Sequence, residues 1–282
     1  MKEIIVGAHV STAGGLYTAC ERASVLGVQS IQIFGSSPRA WRTKTPTEEE
    51  CKKFKIEREK YSITHIYLHA AYLVNLASGN NDIFLNSKQS LIDHLSIAEM
   101  IGADGLIFHI GSSKGITREK ALTQEIEAMK EIIERVPGKS KLIMENTAGG
   151  GDKVGDSIQE MGELYKKTHS KRLGVCFDTA HAFEAGWVEV YAKSSVKKLF
   201  DDFDKEIGIE NLCAIHANDS MTEAGSHHDR HANIGEGKIG ESGFHALFSD
   251  KRLLSIPWIL EVPGGGNGPD KKNVEILRKL SQ

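Results

Sequence analysis

Cysteine is scarce in this 282-residue chain: Cys20, Cys51, Cys176 and Cys213 stand far apart and form no CxxC pair. That spacing argues against a disulfide scaffold or a local cysteine zinc site, and the expectation is buried free thiols in a reducing compartment. Long apolar runs are missing too. The opening "MKEIIVGAHV" is too short in apolar residues for a signal peptide, and no segment offers about eighteen uncharged apolar residues in succession. The expectation is a soluble protein with no membrane partner, cytoplasmic, or nuclear in a eukaryotic cell. A basic excess is absent as well: 35 Lys and Arg face 38 Asp and Glu, a formal −3. No general nucleic-acid-binding surface follows from that balance, although a bound ion can reverse the sign locally. No linker rich in Pro, Gly and Ser divides the chain, and 40% hydrophobic content suffices for a large core, so residues 1–282 read as one domain.

What is present is a rhythm. Apolar, β-branched runs recur at 3–9, 30–35, 64–70, 105–110, 141–146, 173–179, 212–219 and 256–262, separated by stretches with helical spacing. Residues 117–136 illustrate such a stretch: Thr117 is a candidate N-cap, apolar residues recur at Leu122, Ile126, Met129 and Ile133, and Pro137-Gly138 ends it. Residues 90–102 follow the same pattern. Eight strands alternating with helices predict a single α/β (β/α)8 TIM barrel with its site at the C-terminal rim of the strands.

Six of the eight runs finish in a metal-competent side chain: His69, His109, Glu145, Asp178, His216 and Glu261. Singly, a His at a strand end is usually a capped or solvent-facing imidazole. Six in register are a different matter, since buried carboxylates are costly unless paired or metal-bound. "DTAH" adds His181 at the start of a loop or helix, and "SMTEAGSHHDRHANIGEG", with His227, His228 and His231 within five positions, adds the pair Asp229 and His231. Residues two apart on extended chain point to one side. Nine candidate ligands exceed what one ion takes and suit two or three ions sharing carboxylates. Five imidazoles with four carboxylates favour zinc or manganese over magnesium. Three divalent ions against four carboxylates leave the pocket formally +2 and take the chain from −3 to +3, which attracts phosphate and makes phosphodiester hydrolysis a natural chemistry.

The chain resembles the endonuclease IV family of apurinic/apyrimidinic endonucleases. The likeness runs through "GAHVSTAGGL" (7–16), "LHAAYLVNLAS" (68–78), "ENTAGGG" (145–151), "CFDTAHAFEAG" (176–186), "HANDS" (216–220), "DRHANIGEG" (229–237) and "LEVP" (260–263), and so covers nearly the whole chain. The segments at 176–186, 216–220 and 229–237 are together highly specific; "ENTAGGG" alone is not. The resemblance implies a TIM barrel with three Zn2+ per chain, with Mn2+ an option at one site. It assigns His69 and His109 to a first ion, Glu145 as a bridge to a second held with Asp178, His216 and Glu261, and His181, Asp229 and His231 to a third. His9 is expected beside these ligands rather than among them. Ala180, Ala71, Ile110 and Ala217 depart from the usual family residues but leave every expected ligand in place.

The implied substrate is double-stranded DNA with an abasic site, cut 5′ to the lesion to leave a 3′-hydroxyl, together with removal of 3′-blocking groups. A water shared between two ions is the expected nucleophile, with Glu145 setting the metal separation and Glu261 orienting the attack. For DNA contact, "GSSPRAWRTK" offers Arg39 and Trp41, "AAYLVN" offers Tyr72 and Leu73, and Arg230 is a candidate phosphate contact whose plainer reading is a solvated surface group. Trp41 packing its loop and Leu73 serving as core are the plainer readings of those two. Lys114, Lys153 and Lys238 are either phosphate contacts or solvated surface groups. A helix-clad barrel hides its sheet edges, so a monomer is expected. The rival is a sugar isomerase or epimerase on the same fold using one ion on Glu145, Asp178, His216 and Glu261, which leaves the other five ligands without a purpose.

Overall fold

The structure is a computed structural model that describes residues 3–282. In chain order its strands are β1 (Val6–His9), β2 (Ser30–Phe34), β3 (His65–His69), β4 (Gly105–His109), β5 (Gly111–Ser112), β6 (Lys141–Glu145), β7 (Lys153–Val154), β8 (Leu173–Asp178), β9 (Leu212–Ala217), β10 (Asp219–Ser220), β11 (His231–Ala232) and β12 (Trp258–Leu260). Its helices are α1 (Thr18–Leu26), α2 (Glu48–Lys60), α3 (Asn81–Ile101), α4 (Arg118–Arg135), α5 (Ile158–Thr168), α6 (Thr179–Glu184), α7 (Lys193–Glu206), α8 (Gly240–Phe248) and α9 (Lys271–Leu280). Each of the eight predicted runs contributes one barrel strand. β1, β2, β3, β4, β6, β8, β9 and β12 close on themselves as a parallel barrel, which with its helices is the predicted TIM barrel. Two short antiparallel pairs, β5 with β7 and β10 with β11, stiffen loops beyond it.

Strand alternation sets what faces where. One face of the strands packs against the helices in a large apolar shell that includes Ile31, Leu68, Phe108, Phe177 and Trp258. The other face fills the barrel with a small plug of Tyr67, Ile107, Ile143, Cys176, Ala214 and Ile259. Two residues beyond each plug residue, on the same face, stand His69, His109, Glu145, Asp178, His216 and Glu261. The plug is therefore the floor of the rim. Tyr67 satisfies its polar end by donating to the Cys213 carbonyl at 2.7 Å.

α4 begins where expected, with the Thr117 hydroxyl accepting from Lys120 N. α3 differs: it starts nine residues before the predicted Ser90, capped by Asn80, whose side chain accepts from Asp82 N and Ile83 N. The consecutive Ile83, Phe84 and Leu85 obscure the helical period because Ile83 and Leu85 remain 38% and 46% exposed. Cys20, Cys51 and Cys176 are buried, Cys213 is half-buried, and all are free thiols. No described helix is long and apolar enough to cross a membrane.

Candidate metal centre

The barrel converts distance in sequence into proximity at the rim, where the nine expected ligands meet, eight of them in three overlapping groups and Asp229 beside the third. In the first, His69 Nε2 and His109 Nε2 lie 3.1 and 3.2 Å from Glu145 Oε2. His69 Nδ1 donates to the Ala70 carbonyl at 2.9 Å, which leaves Nε2 aimed at the carboxylate. In the second, His216 Nδ1 lies 2.9 Å from Glu145 Oε1, 3.1 Å from Glu261 Oε2 and 3.7 Å from Asp178 Oδ2. The third compact group is Asp178, His181 and His231. Asp229 sits beside it, 3.3 Å from His181 Nε2 and 3.5 Å from His231 Nε2.

This grouping adds to the expected assignment. Asp178 belongs to two groups, as Glu145 does, so both carboxylates are placed to bridge. Asp178 also explains how "DTAH" works locally: it is the N-cap of α6, its Oδ1 accepting from His181 N at 2.8 Å. The segment expected to be a loop or helix is thus a helix whose first turn carries His181. Of the three histidines at 227–231, only His231 joins the centre, through pairing of β11 with β10; His227 donates to the Ala148 carbonyl at 3.2 Å and His228 is exposed.

Burial and charge oppose each other throughout. Burial would raise the Glu145 carboxyl, but His216 and His109 outweigh it and hold it well below the usual carboxylate range. Glu261 behaves likewise, with burial opposed by His216 and His9. Burial would lower His181, yet Asp178, Asp229 and Glu145 raise it well above the ordinary histidine value. His216 is also raised despite burial, by Glu261 and Glu145; Cys176 beside it is no source of charge, because burial pushes that thiol up to about 12. Two buried nitrogens, His181 Nε2 and His231 Nε2, have no hydrogen-bond partner. Orphaned imidazole nitrogens beside a carboxylate fit ion ligation, as does a donor set of imidazole and carboxylate without thiolate.

Several supporting residues carry no chemical signature that sequence reading would notice. Asn146 and Asp178 lock β6 to β8: Asp178 N donates to Asn146 Oδ1 at 2.7 Å and Asn146 Nδ2 returns to the Asp178 carbonyl at 3.1 Å. Asn218 donates to Asp178 Oδ2 at 2.7 Å and accepts from Glu261 N at 3.0 Å. Glu184, fully buried, receives the Ser220 hydroxyl at 2.6 Å and Arg230 N at 3.2 Å. Asp219 accepts from the backbone N–H of Ser220, Gly235, Gly237, Ile239 and Gly240, clasping the loop that carries Asp229 and His231. Only glycine suits position 237, where a Cβ would collide with the Ser220 carbonyl oxygen.

Beside the centre, Tyr72 is 62% and Leu73 38% exposed, so Leu73 is not core. Tyr72 N donates to the Pro38 carbonyl at 3.1 Å, tying this loop to the one bearing exposed Arg39. Trp41 is half-buried against the apolar shell, where it anchors that loop. Arg230, Lys114 and Lys238 are exposed, and Lys153 lines a 330 Å³ cavity with Tyr72, Leu73, His109, His181 and Asp229. On the other side of Tyr72, a 590 Å³ cavity reaches His9 and Glu261. A larger cavity of 820 Å³ around His65, Tyr67, Lys141 and Cys213 lies below the plug and shares no residue with the centre.

Fold and rim define a barrel enzyme of the class described as xylose isomerase-like TIM barrel, whose family model matches residues 20–280. Within that class the chain is 37% identical over 276 residues to "Probable endonuclease 4" of Halothermothrix orenii, covering 97% of this chain and 99% of that one. It is 38% identical over 275 residues to the protein of that name from Thermoplasma volcanium, covering 97% and 94%. Endonuclease IV from Thermus thermophilus superposes with a TM-score of 0.85 at 35% identity over 98% of both chains. The chain belongs to the endonuclease IV family and is a phosphodiester hydrolase. A D-tagatose 3-epimerase-like protein also superposes, with a TM-score of 0.75 over 98% of this chain and 97% of that one, but at 20% identity it shares the fold alone.

Proposed function

We propose that this protein is a zinc-dependent DNA-repair endonuclease that hydrolyses the phosphodiester 5′ to an abasic site in duplex DNA, leaves a 3′-hydroxyl, and also clears 3′-blocking groups. The observation that carries the reading is the sharing of Glu145 and Asp178 among three ligand groups on one rim, in a chain of the endonuclease IV family. The first group would be His69, His109 and Glu145; the second Glu145, Asp178, His216 and Glu261; the third Asp178, His181 and His231 with Asp229. Bound there, divalent ions would supply positive charge to the phosphate and the departing 3′-oxygen and would acidify the attacking water.

The chain's own residues do the rest. Glu145 and Asp178, both sealed from solvent, fix the spacing of the three groups. Glu261 keeps 17% of its side chain exposed, so it can both hold an ion and orient a water that arrives from outside. Tyr72 and Leu73 wedge into the stack at the lesion, where the missing base leaves little pairing to lose. Arg39 and Arg230 meet backbone phosphates and position the duplex without reading its sequence. Residues 1–282 act as one domain and as a monomer in this reading.

The test uses metal-replete protein and a duplex with one tetrahydrofuran abasic analogue. That analogue lacks the aldehyde needed for elimination, so a 5′ cut that leaves a 3′-hydroxyl has to be hydrolytic. Absence of incision, or cleavage confined to natural abasic sites on the 3′ side, sinks the assignment. The second group alone would serve a single-ion sugar epimerase, the chemistry named for one fold relative. Binding of one manganese together with open-chain sugar turnover would favour that reading instead.

A further inference from the structure

Beneath Glu261 and His216 lies Gln32, fully buried on β2. Its amide makes three contacts. Nε2 donates to Glu261 Oε1 at 2.5 Å and to His9 Nδ1 at 3.0 Å, while Oε1 accepts from His216 Nε2 at 2.7 Å. The polarity of this arrangement is forced. A carboxylate only accepts, so the amide nitrogen has to face Glu261; the oxygen is left for His216, whose Nε2 has to carry a hydrogen. The other ring nitrogen, Nδ1, then faces Glu145 Oε1 at 2.9 Å and Glu261 Oε2 at 3.1 Å.

We propose that Gln32 is a positioning residue of the hydrolysis: its amide fixes which nitrogen of His216 and which oxygen of Glu261 face the shared carboxylates, and so shapes the second ion's ligand sphere. The inference rests on the ion-binding reading above. An uncharged amide suits the task because it donates and accepts at once. Glutamate at this position would confront Glu261 with a second carboxylate, and methionine would neither donate nor accept.

Zinc titration of the metal-free full-length protein by calorimetry tests this, with wild type compared with Gln32→Met and Gln32→Glu. Gln32→Met is expected to weaken one ion per chain by roughly 10- to 100-fold. kcat should fall by a similar factor while KM for abasic duplex stays within about twofold, because the substrate-binding loops are untouched. Nitrogen-15 NMR of the zinc-loaded wild type should find His216 protonated at Nε2. That proton should stay protected from solvent exchange in Gln32→Glu, which keeps the acceptor, and exchange faster in Gln32→Met, where nothing accepts it. Gln32→Glu should still weaken the same ion, having lost the donor to Glu261; it also carries the test if Gln32→Met fails to fold. Wild-type ion affinity and kcat in both variants overturn the proposal. A wild type that binds no more than one ion overturns the underlying reading instead.

Discussion

Glu145 and Asp178 are sealed from solvent, whereas Glu261 is partly open, and this difference separates holding from turning over. Glu261→Gln is expected to keep most affinity for abasic duplex and lose turnover by roughly 100-fold or more. Gel-shift binding beside single-turnover cleavage measures the two effects, and near-normal cleavage would remove Glu261 from the chemistry. A second residue tests burial alone. Glu125 on α4 is fully buried and neither carboxylate oxygen has a partner. Burial first and Glu160 second raise its pKa well above the carboxylate range, against Arg118. A group raised on folding gives stability that is complete below its unfolded value of about 4.3 and is lost as pH climbs through the folded value. Glu125→Gln should therefore flatten the pH dependence of melting above about 4.3. Identical pH slopes in wild type and variant would mean that folding leaves this carboxyl's titration unchanged.

Strands and loops differ in how plainly the sequence announces them. The eight barrel strands stand out as apolar runs, six of them with a functional side chain at the end, and Thr117 marks the start of α4 because a cap precedes a clear helical period. The first turns of α3 stay hidden because exposed Ile83 and Leu85 spoil that period. The rim's imidazoles and carboxylates can be gathered from residue type, whereas Gln32, Asn146 and Asn218 cannot: an amide declares nothing until the fold sets it beside a carboxylate. Asp219 is hidden for another reason, since its backbone partners include residues as far away as Gly240. Loops also act in pairs. Because Tyr72 N is bonded to Pro38, the Arg39 and Tyr72 loops should respond together. Replacing both Arg39 and Tyr72 with Ala is expected to cut the preference for abasic over intact duplex by about tenfold or more while zinc content stays unchanged. Comparative binding with metal analysis checks this, and equal losses on both duplexes would reduce the loops to general phosphate contacts.

Across the whole molecule, the centre couples stability to ions and to pH. Without ions, the raised His181 and His216 give stability that is complete below about 6.5 and lost as pH rises through their folded values. The depressed Glu145 and Glu261 give stability that is present above about 4.3 and lost as pH falls through theirs. Chelator-stripped protein is thus expected to melt highest between about pH 4.3 and 6.5. Ions need bare imidazoles, so zinc should raise the melting temperature more at pH 8 than at pH 6, and free ion at about 100 times its Kd adds about 2.7 kcal/mol. Calorimetric melts of stripped and loaded protein at several pH values test this; a zinc effect independent of pH would contradict imidazole ligation.

The two-residue step from plug to rim has a consequence for engineering this scaffold. Deleting or inserting a single residue within β3, β4, β6, β8, β9 or β12 would turn that strand's working side chain outward among the helices and send a greasy one into the mouth. Length variation is safe only past the rim, so libraries meant to change which DNA the enzyme accepts belong in the segments after β2 and β3, with the cylinder itself kept at fixed length.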